Sequence, residues 1–272
     1  MLINTFQHIQ GIGPKTERHF WQKGIFSWNQ FKPPLPISFS TATAEFIESA
    51  ICESRRHLDN GDAGYFAGRL PASLHWRLFP DFQQSAVYLD IETTGLSMDY
   101  ASITTIALYD GNLLSYYING HNLEDFPEDI RKYNVIITYN GKSFDIPYIE
   151  RFFDIKLPHA QIDLRYVLAG LGYKGGLKAC ERQLGLDRGN LTDVDGAFAV
   201  LLWNDYASRG NLAALETLLA YNIEDTVNLE RLMIIALNTL LKATPFESRY
   251  FHNIPHPPKN PFQPDLTVIN RL

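Results

Sequence analysis

Apolar and polar positions fall into two regimes along the chain. Between residues 85 and 140, short apolar runs alternate with turn residues: SAVYLDIE, ITTIALYD, LLSYYIN and VIITYN. Each is short and rich in β-branched and aromatic residues, as strands are. Brief turn signals separate the first three, which predicts an antiparallel meander. LEDFPEDIRKY, before the fourth, reads as a helix. After VIITYN the period lengthens. Residues 146–153 and 164–171 read as helices around a short strand at Gln161-Ile162-Asp163. From Asn211 onward, LAALETLLAYNIEDTVNLERLMIIALNTLL reads as one long helix. A meander followed by alternating helices and strands predicts an α/β fold, with a mixed five-stranded sheet flanked by helices.

The remaining pattern divides the chain. Residues 1–32 read as a small helical unit ending in Lys32-Pro33-Pro34-Leu35-Pro36, a stiff linker signal. Residues 33–84 hold that linker and a helix, TAEFIESAICESRRHL, opened by a Thr cap and broken by GDAGYFAGRLP. Residues 85–243 form the main domain. Residues 244–272 carry six prolines and few periodic apolar positions, which predicts an extended tail. No internal repeat is present.

Composition narrows the class. The chain has 272 residues, 45% of them hydrophobic, enough for one sizeable core and a small satellite. A net charge of −6 excludes a nucleic-acid coat held by bulk positive charge. Residues 1–80 carry eight Lys/Arg against six Asp/Glu, and the rest carries 16 against 24. Any phosphate binding in the acidic main domain is therefore local. Two distant cysteines, Cys52 and Cys180, fit a reducing cytoplasm. MLINTFQHIQ lacks a signal-peptide pattern, and no apolar run reaches the roughly 18 residues of a membrane span, so a cytoplasmic protein with no membrane partner is expected.

Three acidic positions carry candidate chemistry. In YLDIETTGL, Asp90 and Glu92 are two residues apart on a strand and so share a face. Two adjacent carboxylates on a core strand need a compensating charge. In ITYNGKSFDIPYIERFF, a strand ends at Tyr139-Asn140, Gly141 permits a turn, and Asp145 precedes Ile146-Pro147, where a helix begins. Asp145 is there either an N-cap or a site carboxylate. In AYNIEDTVNLERL, Tyr221 and Asp225 are four apart on one helical face, either as an ordinary polar edge or as part of a site.

The order and spacing of these motifs resemble the DEDDy branch of the 3′–5′ exonucleases, which have an RNase H-like fold, and within it the YprB-type domains. The similar stretches are DIETTGL, TYNGKSFDIP, Ile162-Asp163-Leu164, Thr192-Asp193-Val194-Asp195-Gly196 and Tyr221-Asn222-x-x-Asp225, within about residues 85–243. Many members of the nearest family have histidine where this chain has Tyr221; tyrosine is the other residue used in the wider superfamily. The resemblance implies an enzyme that hydrolyses single-stranded or frayed DNA or RNA from its 3′ end to 5′-monophosphates. It implies two Mg2+ or Mn2+ ions, roughly 3.5–4 Å apart. Asp90, Glu92 and Asp225 would hold one, Asp90 and Asp145 the other, and Tyr221 would orient the attacking water. An inactive nucleic-acid adaptor and a structure-specific endonuclease are the competing functions on the same fold.

Further positions have two readings each. Asp163 is either a support for this site or a helix cap. Asp193 and Asp195 read as a solvated turn. Asn140 and Phe144 are candidates to touch the terminal nucleotide, although Phe144 suits core packing equally. Lys142, Lys174, Lys178 and Arg182 are candidate phosphate contacts, with Lys178 the strongest and a solvated helix face the alternative. In FQHIQGIGPKTERHFWQKG, Gly11-Ile12-Gly13-Pro14-Lys15 resembles the hairpin of a helix–hairpin–helix unit. Gly11, Gly13 and Lys15 are then candidates for a DNA phosphate, because glycine exposes backbone N–H groups at a helix start. The alternative is a hairpin that only packs, through Phe20, Trp21 and Trp28.

Overall fold

The computed structural model describes residues 1–272 except Met98, Asp99 and Asp193. It divides into two compact units: Met1–Gln84 with Leu237–Phe251, and Ser85–Ala236 with His252–Leu272. Among the described residues no helix is long and apolar enough to cross a membrane.

The first unit is helical. α1 (Pro14–Gln22) starts after the Gly11–Gly13 turn, with Pro14 in its first position. α2 (Thr41–Asp59) is capped by Ser40, whose Oγ accepts from Thr43 N at 3.1 Å. The cap is thus a serine upstream of the expected threonine. α3 (Ala63–Ala67) and α4 (Phe79–Phe82) follow. Phe6, Phe20, Trp28 and Phe66 are fully buried in this unit. Trp28 stacks on Phe66, and its indole N–H donates to Thr5 O at 2.8 Å. Glu17 of α1, also buried, accepts from Phe6 N and from Arg77, so the turn before α1 is held from inside. The packing reading of Phe20, Trp21 and Trp28 therefore holds within this unit, since all three are buried here.

The second unit holds the sheet, in the order β3-β2-β1-β4-β5. β1 (Ala86–Thr93), β2 (Ile103–Tyr109) and β3 (Leu114–Ile118) form the antiparallel meander. β4 (Val135–Thr138) and β5 (Ala160–Asp163) join in parallel, which makes the sheet mixed. LEDFPEDIRKY forms two 3-10 turns around the short α5 (Phe126–Asp129) instead of one helix. α6 (Asp145–Phe153), α7 (Leu164–Gly170) and α8 (Leu177–Gln183) follow. α9 (Gly196–Arg209) was not anticipated; it starts at Asp195, whose side chain accepts from Phe198 N. Asp195 is thus a helix cap, and Asp193 lies outside the described residues. α10 is the long helix, Leu212–Leu241.

The sheet core is Val87, Leu89, Ile91, Ile106, Leu108 and Ile136 with Phe126 and Ile149. These alternate in sequence with the polar positions of β1, as burial of one strand face requires. The tail is more structured than its prolines suggest. Asp265 N donates to Thr217 Oγ1 of α10 at 2.9 Å, and Leu266–Arg271 is a helix.

Candidate metal centre and cleft

The pairing of β1 explains where its carboxylates sit. β1 pairs with β4 only as far as Tyr88↔Ile137, while its pairing with β2 continues through Asp90↔Ala107 and Glu92↔Thr105. Asp90 and Glu92 therefore lie beyond the end of β4, where the two parallel strands part. A crevice outside the carboxyl ends of strands is where open α/β sheets bind ligands. The N–H of Ile91, left without β4, donates to Asp145 Oδ1 at 3.2 Å. Phe144 is the N-cap of α6 without a side-chain cap, and Asp145 is its first residue. Asp145 thus reaches back to β1 rather than capping its own helix.

The turn that delivers Asp145 is tightly determined. Asn140 has φ 69°, the left-handed region, which is uncommon outside glycine. Asp163 holds it there, accepting from Asn140 N at 2.8 Å and from Lys142 N at 3.2 Å. Asp163 also accepts from Arg165 N at 3.0 Å, so both readings of it are correct: it caps α7 and supports the site turn. Gly141 lies against Thr138; a Cβ there would stand 2.3 Å from Thr138 Oγ1. Any larger residue would push the turn off β4.

Asp90, Glu92 and Asp225 each offer an oxygen within 4.8 Å of the others. Glu92, Asp145, Tyr221 and Asp225 are buried. Together with Asn140, Phe144 and Leu96 they line a cleft of about 540 Å³. Asn222, next to Tyr221, donates from Nδ2 to Asp90 Oδ2 at 2.7 Å. Phe144 serves both roles expected of it, packing against the sheet core and lining the cleft. Lys178 is not among the residues that line the cleft; its ammonium stands 5.1 Å from the Tyr221 ring centroid. Gly11, Gly13 and Lys15 belong to the first unit, where Gly11 and Gly13 line a separate hollow with His8 and Arg69.

The electrostatics are those of acids held together against their own repulsion. Burial first, then Asp225, Glu92 and Asp145, push the Asp90 carboxyl well above the usual carboxylate range. Glu92 is pushed up by burial, Asp225 and Asp145, against the pull of Lys178 and Arg188. Asp145 is raised to about 7, mainly by burial, against the backbone N–H groups it accepts from. Burial and the surrounding carboxylates also raise the Tyr221 phenol.

One residue of this network had no signal in the sequence. Arg188 lies in the turn after α8, buried, and pairs with Asp225 on one side and Glu181 on the other. Glu181 is fully buried and also accepts from Asn228 Nδ2 at 3.0 Å. The Arg188 guanidinium stands 5.4 Å from the Tyr221 ring centroid. Burial works against its charge, and Asp225 and Glu181 outweigh that. Arg188 is thus a fixed counter-ion behind Asp225 and Tyr221. Asn222 was visible inside the Tyr221-Asn222 motif, but nothing in the sequence gave it a role.

The donor set fits a hard divalent cation. It is all carboxylate oxygen, and it is raised in pKa by a repulsion that a cation removes. Oxygens sharing one magnesium lie at most about 4.2 Å apart, so the trio needs only a small contraction to share an ion.

The chain resembles solved structures at low identity. One is the family B DNA polymerase from the hyperthermophilic archaeon Pyrobaculum calidifontis, at 17% identity and a TM-score of 0.41, over 58% of this chain and 24% of that one. This chain therefore spans about a quarter of the polymerase chain. Another is Brucella melitensis NrnC, at 21% identity and a TM-score of 0.39, over 61% of this chain and 78% of that one. No curated protein matches. A family model described as RNase H superfamily matches residues 87–237, the stretch from β1 into α10 that contains Asp90, Glu92, Asp145, Tyr221 and Asp225. The chain belongs to the RNase H superfamily.

Proposed function

We propose that the chain is a metal-dependent 3′–5′ exonuclease that removes 5′-mononucleotides from a single-stranded or frayed DNA or RNA end. The observation that carries this reading is the buried trio Asp90, Glu92 and Asp225, with oxygens within 4.8 Å, in a cleft shared with Asp145 and Tyr221. Asp90, Glu92 and Asp225 would hold one divalent ion, and Asp90 with Asp145 a second. Bound magnesium or manganese supplies a nucleophilic water at neutral pH and stabilises the charge on both displaced oxygens.

The chain's own residues orient and hold. Asn222 fixes one oxygen of Asp90, leaving the other to the cleft. Arg188 fixes Asp225 from behind. The Tyr221 phenol is too weak an acid to act as a base at neutral pH, since burial and its carboxylate neighbours raise it further. It stays protonated, and its hydroxyl aligns the attacking water. Asn140 and Phe144 are placed to touch the terminal nucleotide, by hydrogen bond and by stacking. Lys178 adds positive charge beside the Tyr221 ring. Cleavage of the P–O3′ bond leaves the phosphate on the released nucleotide.

The 3′–5′ direction and the YprB-type subtype rest on the motif resemblance. On the same basis the Gly11–Lys15 turn is a candidate contact for duplex phosphate, at the start of α1. The test is a single strand labelled at either end, incubated with magnesium. The 5′-labelled strand should shorten in one-nucleotide steps, and the 3′-labelled strand should release a labelled mononucleotide at once. Internal cuts in a circular single strand would favour an endonuclease instead.

A further inference from the structure

The cleft has a neighbour. A second hollow of about 680 Å³ lies on the other side of Tyr139 and Asn140, which line both. Its remaining walls include Arg165, Tyr173, Lys174 and the backbone of Gly175-Gly176. The volume is within the range of small-ligand sites, roughly 300–1,000 Å³. Its chemistry differs from that of the cleft. Where the cleft is lined by carboxylates, this hollow has two cations and two tyrosine rings, in a unit that is otherwise acidic.

The shared wall is a constrained one. Asn140 sits at φ 69°, held by Asp163 from below, and its side-chain oxygen accepts from the Arg165 guanidinium. Arg165 is exposed, so its other N–H donors are open to a ligand. The Tyr139 hydroxyl is tied to Cys180 Sγ at 3.6 Å, which fixes the ring between the two hollows. Gly175 and Gly176 both have positive φ, and a Cβ on Gly176 would meet nothing within 4 Å. The floor beside Lys174 is therefore bare backbone with open space above it.

We infer that this hollow is a second nucleotide subsite, taking the unit of a single strand that precedes the terminal nucleotide, with its phosphate at Arg165 and Lys174 and its base against a tyrosine ring. The inference rests on the proposed function, because it presupposes that the terminal nucleotide occupies the cleft. Cations plus aromatic platforms are how single strands are held without sequence preference. The arrangement also separates tasks: the carboxylates repel phosphate until they are neutralised, and the neighbouring cations retain the strand meanwhile.

The test is calorimetric titration of the full chain with calcium in place of magnesium. The probes are inorganic phosphate, thymidine 5′-monophosphate and the tetranucleotide dT4, with uridine 5′-monophosphate and U4 as the RNA pair. The variants are Lys174→Glu and Tyr173→Ala, with folding checked by circular dichroism. The wild type should bind a tetranucleotide at least tenfold more tightly than the mononucleotide. Lys174→Glu should weaken the tetranucleotide about tenfold and Tyr173→Ala several-fold, while the mononucleotide stays within twofold. Unchanged tetranucleotide affinity in both variants would overturn the subsite. So would equal loss for phosphate, mononucleotide and tetranucleotide, which would mean a simple anion site. A wild type that binds no nucleotide or oligonucleotide would instead overturn the function proposed for the cleft.

Discussion

Tyr221 and the carboxylates differ in what their removal should do. Tyr221→Phe keeps the ring between Lys178 and Arg188 and deletes only the hydroxyl. Turnover should fall about 10²-fold, the low end for a positioning or acid–base group, while metal affinity stays constant. Single-turnover kinetics together with manganese titration separate the two. The carboxylates also carry a pH signature. Asp145, raised to about 7, binds its proton more tightly in the folded than in the unfolded protein, and Asp90 and Glu92 are raised in the same direction. The folded state therefore holds more protons between about pH 4, the ordinary carboxylate range, and 7. Stability of the metal-free protein should fall as pH rises through that window. A thermal melt in chelator should lose several degrees between pH 5 and pH 8, and magnesium should restore them at pH 8. A melt that is flat or rises with pH would mean the acids are not strained.

The α8–turn–α10 clamp, built from Glu181, Arg188 and Asp225, makes a prediction of its own. Arg188→Met strands Glu181, fully buried, without its partner. Breaking a buried ion pair from one side costs about 3–5 kcal/mol. Glu181→Gln combined with Arg188→Met should recover most of that loss in chemical denaturation; an equally unstable double variant would mean Arg188 acts through something other than charge. These elements also show what sequence reading reaches. The five strands were legible because burial of a strand face imposes a period of two, and Asp90 and Glu92 broke that period visibly. Arg188 was not legible, because a turn has no period and its partners lie 7 and 37 residues away. α9 escaped because its apolar positions make no clean stripe. Ser40 was missed because Thr41 and Thr43 follow it closely, and each is an equally good cap by type. Asp145 was ambiguous until the unpaired N–H of Ile91 showed where its carboxylate goes.

The two units answer to different tests. Residues 1–32 cannot be deleted cleanly, since Phe6, Phe20 and Trp28 are core residues of the first unit. Lys15, exposed beside the Gly11–Gly13 turn, is the better probe of the hairpin. Lys15→Glu should weaken binding to a long duplex several-fold at low salt, with the difference shrinking as salt rises. Hydrolysis of a short oligonucleotide should not change. Equal duplex affinity across the salt titration would leave the hairpin as packing alone. For the second unit, the decisive measurement is the rate of hydrolysis of a 5′-labelled single strand as magnesium is titrated, in the wild type and in Asp90→Asn. That substitution removes one charge from the centre of the carboxylate trio while keeping the shape of the side chain. The wild type should be inert in chelator, saturate with magnesium, and shorten the strand from its 3′ end one nucleotide at a time. Asp90→Asn, folded and at least as thermally stable in chelator, should lose nearly all of that rate at every magnesium concentration. Hydrolysis that persists in chelator, or an Asp90→Asn protein as active as the wild type, would contradict a metal-dependent site at the end of β1.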